Sequence, residues 1–405
     1  MLIVYVILIL LIGLLAWTFI GYPLFLILFS PILKKTYKIS TSYFPKVTFM
    51  IMTYNEEKAI LKKLENSTEI DYPKDKLEIF VVDSASTDRT QSIVNEFIKS
   101  FHKKFPSDKR IIKLIAQPKR EGKASGINYG LKYANTNSEI IIITDGNAML
   151  NKESIRNLIK HFYDEKVGGV CGRFEARDTQ GTSVGSGGNI YWQIEKLLRW
   201  GESNLDSCIH MSGEITALRK GIINELDTTQ LAEDFDMAVT IRKKGFRIIY
   251  EPEAIAYEPA PTNIIDLKTQ KKRITIGTLQ VLFKHKDMLF NQKYGWYGFI
   301  ILPSHKLFQL LTPFALIFMF IFTLALFIIN SNNLITVLLF IEIFMILLTM
   351  LSFALTLISL FNQSRILNFI KYFAASNWIV LLGWMDFVSG KRIVTWKKIE
   401  SSREF

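Results

Sequence analysis

Three short polar stretches, each at the end of an apolar run, hold residues whose types and spacing could do chemistry. They are Thr53-Tyr54-Asn55-Glu56-Glu57, Val82-Asp83-Ser84-Ala85-Ser86-Thr87-Asp88 and Thr144-Asp145-Gly146-Asn147. Singly, each has a plain structural explanation: Asp88 can cap a helix, and Asp-Gly is a common turn dipeptide. Three carboxylates at one end of one sheet are harder to explain as caps. Carboxylate and amide oxygens suit a hard divalent cation, so the combination fits Mg2+ or Mn2+ holding a diphosphate. No Walker loop or G-x-G-x-x-G occurs. The glycine-rich residues 181–188 lack a Lys-Ser/Thr ending and are expected to form a flexible loop.

The elements that must position these residues follow from the apolar pattern. Residues 47–52, Leu77–Asp83, Ile111–Ala116 and Ile140–Asp145 read as buried strands, with helical patterns at residues 57–66 and 90–101 between them. A strand–helix–strand rhythm at this spacing predicts a mostly parallel sheet with helices on both faces. Ligands of such sheets bind beyond the carboxyl ends of the strands, where the three polar stretches lie.

The chain has 405 residues, of which 49% are hydrophobic, and the excess sits at its two ends around an ordinary soluble composition. Its formal charge of +12 comes with no basic helix, zinc knuckle or aromatic RNA-binding pattern, which argues against nucleic acid. Much of the basic excess borders apolar runs, where it would face anionic lipid headgroups. Two cysteines, Cys171 and Cys208, cannot make a disulfide framework. Cys208-x-His210 offers two ligands with no second pair, too few for a structural metal site.

Residues 2–29 are almost continuously apolar and long enough to span a bilayer. No basic region precedes them and no cleavage site follows, which is unlike a signal peptide. Lys34, Lys35 and Lys38 follow, so the positive-inside rule places the next domain in the cytoplasm. Further spans fit residues 307–329 and 334–361, joined by an uncharged external loop at Asn330-Ser331-Asn332-Asn333. Residues 366–388, interrupted by Asn368, Lys371, Asn377 and Asp386, read as an interfacial or re-entrant helix, with a full span as the alternative. The basic stretch 391–403 returns to the cytoplasmic side. Glu342, inside a span, is a functional candidate by position. The expectation is a multi-pass cell-membrane protein with a cytoplasmic catalytic domain.

"MTYNEE" followed by "VVDSASTDRT" resembles the nucleotide-binding strands of the family-2 inverting glycosyltransferases. Within that family the likeness is to the membrane group containing hyaluronan, chitin, cellulose and poly-N-acetylglucosamine synthases. The resemblance implies a GT-A α/β fold and a nucleotide-sugar donor, a UDP-sugar by family likeness. It also implies contacts from Tyr54, Glu56 and Asp83 to the base and ribose, with Ser84 at the family's usual second Asp. "REGKASGINYG" resembles the group's Gly-Lys-Ala segment and implies that Lys123 helps hold the nucleotide. "TDGN" stands where the family has Asp-x-Asp, which makes Asp145 and Asn147 the implied metal ligands, the second bringing no charge. "LAEDFDMAVTIRKKGFRIIYEP" resembles the Thr-Glu-Asp segment, with Ala232 in place of Thr. Asp234 matches the general base and Glu233 its neighbour, and Asp236 is the rival. "QKKRI" matches Gln-x-x-Arg-Trp at Gln270 and Arg273, so Arg273 would face the diphosphate, while Ile274 replaces the Trp that lines the acceptor site. "SHKLF" near Ser304 and the segment "SGKRIVTWKKIESSR" also resemble this group.

The expected organisation is an N-terminal membrane helix (1–33), a GT-A domain (45–262), interfacial helices (263–303), C-terminal membrane and interfacial helices (304–390) and a basic tail (391–405). The implied reaction is a single in-line displacement with inversion, Asp234 accepting the acceptor's proton. Mg2+ or Mn2+ would neutralise the leaving diphosphate. The acceptor would be a glycan or a lipid-linked acceptor, with polysaccharide synthesis as the setting that the resemblance implies. A processive polysaccharide synthase is the alternative, which Ile274 and the small number of spans disfavour. An inactive membrane scaffold is a third reading.

Overall fold

The computed structural model describes residues 2–134, 137–177, 183–259, 264–329 and 365–390, together with a few positions between 337 and 341. Glu342, the loop 330–333, most of the span expected at 334–361 and the basic tail lie outside the described residues.

At the centre is an eight-stranded sheet in the order β3-β2-β1-β4-β7-β6-β8-β5. Strands β1 (Val47–Thr53), β2 (Leu77–Asp83), β3 (Ile111–Ala116) and β4 (Ile140–Asp145) run parallel, as their apolar runs predict. The other half is mixed, but only β7 and β5 run against the rest, so the sheet is mostly parallel as expected. β7 (Ile215–Arg219) lies antiparallel to both β4 and β6 (Val167–Arg177). β8 (Arg247–Pro259) pairs parallel with β6 and antiparallel with β5 (Met149–Leu150). A central antiparallel strand matters for the site, because it brings its N-terminal end to the edge where the parallel strands end.

Both faces of β1, β2 and β4 are buried, which is why these strands read as continuous apolar runs, whereas the edge strand β3 is partly exposed. Phe49, Ile51, Ile79, Val81 and Ile142 point to one side, against α3 (Ile60–Thr68), α4 (Thr90–Lys104) and α6 (Ser154–Ile159). Met50, Met52, Phe80, Val82 and Ile143 point to the other, against α5 (Lys123–Leu131) and α8 (Glu233–Lys243).

Leu2–Phe29 forms one apolar helix of 28 residues: α1 (Leu2–Ala16), a π-helical turn and α2 (Tyr22–Phe29). A second apolar helix of 33 residues covers Tyr297–Ile329 and ends in α10 (Phe308–Ile329). It begins ten residues before the span read from sequence. His305 and Lys306 interrupt the apolar pattern there, but His305 is buried between Glu195 and Glu202. Those carboxylates belong to α7 (Ser183–Leu205), a helix that takes in most of the glycine-rich stretch expected to be a loop. α2 crosses α7 so closely that a Cβ on Gly201 would lie 2.8 Å from Leu26. α9 (Ile264–Lys284) and α11 (Arg365–Val388) pack together with equal closeness, Gly383 leaving room for Thr275. A third apolar cluster, including Tyr22, Leu26, Leu198, Phe235, Leu279 and Tyr297, joins these helices to the domain.

Candidate active site

The loops leaving β1 and β2 are stitched together. The Asn55 N–H donates to Ser86 Oγ at 2.8 Å and the Thr87 N–H donates to Asn55 Oδ1 at 2.8 Å. Asn55 and Ala85 both have left-handed backbones, with φ of 54° and 55°. Asn tolerates that region, whereas Ala gains nothing locally from it, so strain of about 1 kcal/mol is held at the site's edge. Asp88 accepts the Thr90 N–H at 2.9 Å, tying the loop to the start of α4.

Asp83 is fully buried. Its carboxylate accepts from Thr53 Oγ1 at 3.2 Å, the Ser86 N–H at 2.9 Å, Ser86 Oγ at 2.5 Å and Gln91 Nε2 at 2.7 Å. To touch a ribose it would have to exchange one of these bonds, so its first effect is to shape the loop. Tyr54 lies beneath the Arg120 guanidinium, 3.8 Å from ring centroid to Cζ. Such a stack is a platform for a flat base.

The Asp145–Asn147 turn abuts the same loop. The Gly146 N–H donates to the Met52 carbonyl at 2.9 Å. A Cβ on Gly146 would come within 3.2 Å of Glu56 Cγ, so Glu56 and the turn touch only because position 146 is glycine. Asn147 and Glu56 are buried, whereas Asp145 is partly exposed.

Lys123, the first residue of α5, reaches into the centre of this group. Its ammonium lies 2.5 Å from Asp145 Oδ1 and 3.8 Å from Glu233 Oε1, and donates to the Gly213 carbonyl at 3.1 Å. Burial opposes its charge, but Asp145 and Glu233 more than offset that and raise its pKa above the ordinary lysine value. Across from it, Glu233 and Asp234 open α8. Burial and the neighbouring Glu233 raise the Asp234 carboxyl to about 6, with Lys123 pulling partly the other way. A carboxyl poised near neutrality at a cleft is suited to accepting a proton.

Asp236 faces elsewhere. It is buried, with His285 Nε2 at 2.8 Å and Lys284 Nζ at 3.0 Å, and it ties α8 to the end of α9. Gln270 and Arg273 lie on α9 with Gly277 and Gln280 at helical spacing, on one face. Gly277 abuts Ala232, where a Cβ would meet the Ala232 Cβ at 2.8 Å, and Gln280 Oε1 accepts the Leu231 N–H at 3.1 Å. The face that carries Arg273 is therefore the one pressed against the approach to Glu233. Ile274 is exposed.

Sequence reasoning missed three contributors. Glu214 follows Gly213 at the head of β7 and adds a further negative charge beside Lys123 and Asp234. Recognising β7 as an antiparallel strand would have placed it at the site. Lys63 is fully buried beneath the turn and donates to Thr144 Oγ1 at 3.1 Å and to the Ala148 carbonyl. Burial lowers its pKa to about 7. Arg120, stacked on the expected Tyr54, is the third.

The Asp145–Asn147 turn, Lys123 and the raised Asp234 carboxyl thus stand together at the carboxyl edge of an α/β sheet. The model of glycosyl transferase family 2 matches residues 48–226, and that of glycosyl transferase family group 2 matches residues 140–385. The chain belongs to glycosyl transferase family group 2, carries a family 2 match over its soluble half and is a glycosyltransferase. It is 28% identical over 387 residues to the probable glycosyltransferase YdaM of Bacillus subtilis, covering 88% of this chain and 87% of that protein. It is 25% identical over 243 residues to the poly-beta-1,6-N-acetyl-D-glucosamine synthase of Staphylococcus epidermidis, covering 59% of this chain and 56% of the synthase. The fold is similar to that of the mannosyltransferase PcManGT from Pyrobaculum calidifontis, solved with GDP-Man and Mn2+. There the TM-score is 0.70 at 24% identity, over 95% of this chain and 99% of that one.

Proposed function

We propose that this glycosyltransferase is membrane-bound and inverting. It moves a sugar from a nucleotide-sugar, of the UDP class by family likeness, to a glycan or lipid-linked acceptor. The observation that carries the reading is the meeting of Asp145 and Glu233 at the Lys123 ammonium, with Asp234 in the same field, between the loops after β1 and β2 and the face of α9 that bears Arg273. The two long apolar helices and the lysines after the first support attachment to a membrane with the domain on the cytoplasmic side.

Asp145 and Asn147 fit a hard divalent cation: one carboxylate and one amide oxygen from the protein, with diphosphate oxygens completing the shell. The carboxylate already holds a cation, the Lys123 ammonium. When bound, Mg2+ or Mn2+ would neutralise charge on the leaving diphosphate. The chain's own residues do the rest. Tyr54 and Arg120 stack the base, Glu56 and Asp83 shape the ribose side, and Gln270 and Arg273 bring hydrogen bonding and a fixed cation to the diphosphate. Asp234 takes the proton from the acceptor hydroxyl as it attacks the anomeric carbon.

The test is a donor screen on purified protein with UDP- and GDP-sugars, read by mass analysis of product and by nucleoside diphosphate release. Turnover of one donor that disappears on Asp145→Ala supports the reading. Nucleotide binding without turnover of any donor would favour the inactive scaffold.

A further inference from the structure

Resting on the donor-site reading above, the geometry points to a second role for Lys123: a shared cation that changes partner when a metal loads. On Asp145 it takes the place of a divalent ion. When the ion ligates Asp145, the ammonium passes to the Glu233–Asp234 pair, coupling the donor half of the site to the base.

Three observations carry this. First, the ammonium lies 2.5 Å from Asp145 Oδ1, so a divalent cation on that carboxylate would face a like charge at contact distance. Second, a receiving partner is already within reach, since Glu233 Oε1 is 3.8 Å away and Asp234 and Glu214 add to the same negative field. Third, the path is open. The side chain passes over Gly213, where a Cβ would lie 3.3 Å from Nζ, and the Gly213 carbonyl at 3.1 Å can stay bonded as the ammonium shifts. Lys63 does not serve the same purpose, because it is held beneath the turn by Thr144 and the Ala148 carbonyl.

The exchange predicts non-additive metal binding. Removing Lys123 removes the competitor and tightens metal binding. Removing Glu233 leaves the ammonium without its second partner, so it competes harder and metal binding weakens. That weakening must depend on Lys123.

The experiment measures the affinity of the full chain in detergent for Mn2+ alone, from the paramagnetic resonance signal of free Mn2+. The proteins are the unmodified chain, Lys123→Met, Glu233→Gln, the double variant and Asp145→Asn. Lys123→Gln, which keeps a donor for Gly213, stands in if the Met variant does not fold. The expected result is tighter binding in Lys123→Met, and weaker binding in Glu233→Gln by about five-fold, shrinking to under about two-fold when Lys123 is absent. A residue that merely supports the fold would not produce that coupling. Looser or unchanged Mn2+ binding in Lys123→Met, or an equal Glu233→Gln effect in both backgrounds, overturns the exchange. If Asp145→Asn leaves Mn2+ binding unaltered, or the unmodified chain binds none, the metal reading of the turn fails and the exchange with it. If Asp145→Asn abolishes binding while the other two substitutions act additively, the exchange alone fails.

Discussion

Asp234→Asn should damage catalysis and at the same time stabilise the protein. In the folded chain burial and Glu233 raise the Asp234 carboxyl from the ordinary aspartate range to about 6. The native state therefore binds a proton more tightly than the unfolded state. Between roughly pH 4 and pH 6 stability falls as pH rises, because the native carboxyl must give up a proton it prefers to keep. Above pH 6 the penalty is fully present. A shift of about two units is worth about 3 kcal/mol at most, and since Asp234 is partly open to solvent, ~1–2 kcal/mol is the appropriate figure. Asn keeps the shape and can still accept the Phe235 N–H, now 2.8 Å from Asp234 Oδ1, but it carries no charge. At pH 7 the variant should melt higher by about 2–6 °C, with the gap closing below about pH 4. Sugar transfer should fall about a hundredfold or more, while nucleotide binding persists. Thermal unfolding of the detergent-solubilised chain across pH 4 to 8, beside transfer rates, checks both halves. A variant that melts lower at pH 7, or a stability difference that ignores pH, refutes the reasoning.

Asp236→Asn should do the reverse. It loses a buried carboxylate bonded to His285 and Lys284, so stability should fall by about 1–3 kcal/mol, while kcat in the folded fraction changes little. Activity should disappear in excess EDTA, and Asn147→Asp should be tolerated or should tighten metal binding, since it adds a charged oxygen at nearly constant volume. If Ile274 leaves the acceptor without an aromatic surface, products should be short and Ile274→Trp should lengthen them. Sizing of the product chains decides that point.

Much of the proposed donor half was legible because it depends on local sequence. Apolar runs ending in Asp83 and Asp145 announced parallel strands and the edge where they stop, since strands buried on both faces leave an unbroken signal. The other half depends on contacts distant in sequence. Glu214 reaches the site because β7 runs antiparallel through the sheet, a fact carried by pairing with β4 and β6 rather than by its own five residues. Lys63 reads as a solvated helix position. It is buried because Thr144 and Ala148, some eighty residues later, accept its protons. Asp234 and Asp236 look alike in a row of acids until Lys284, at the end of α9, and His285, just after it, pair with Asp236. The start of the second apolar helix was hidden for the same reason, since His305 looks polar until Glu195 and Glu202 are packed around it.

The central claim is a single displacement in which Asp234 deprotonates the acceptor and no enzyme group attacks the sugar. The anomeric configuration of the first-formed product, read by proton NMR before it equilibrates, tests that most directly. Inversion relative to the donor is predicted, and retention of the donor's configuration would contradict it.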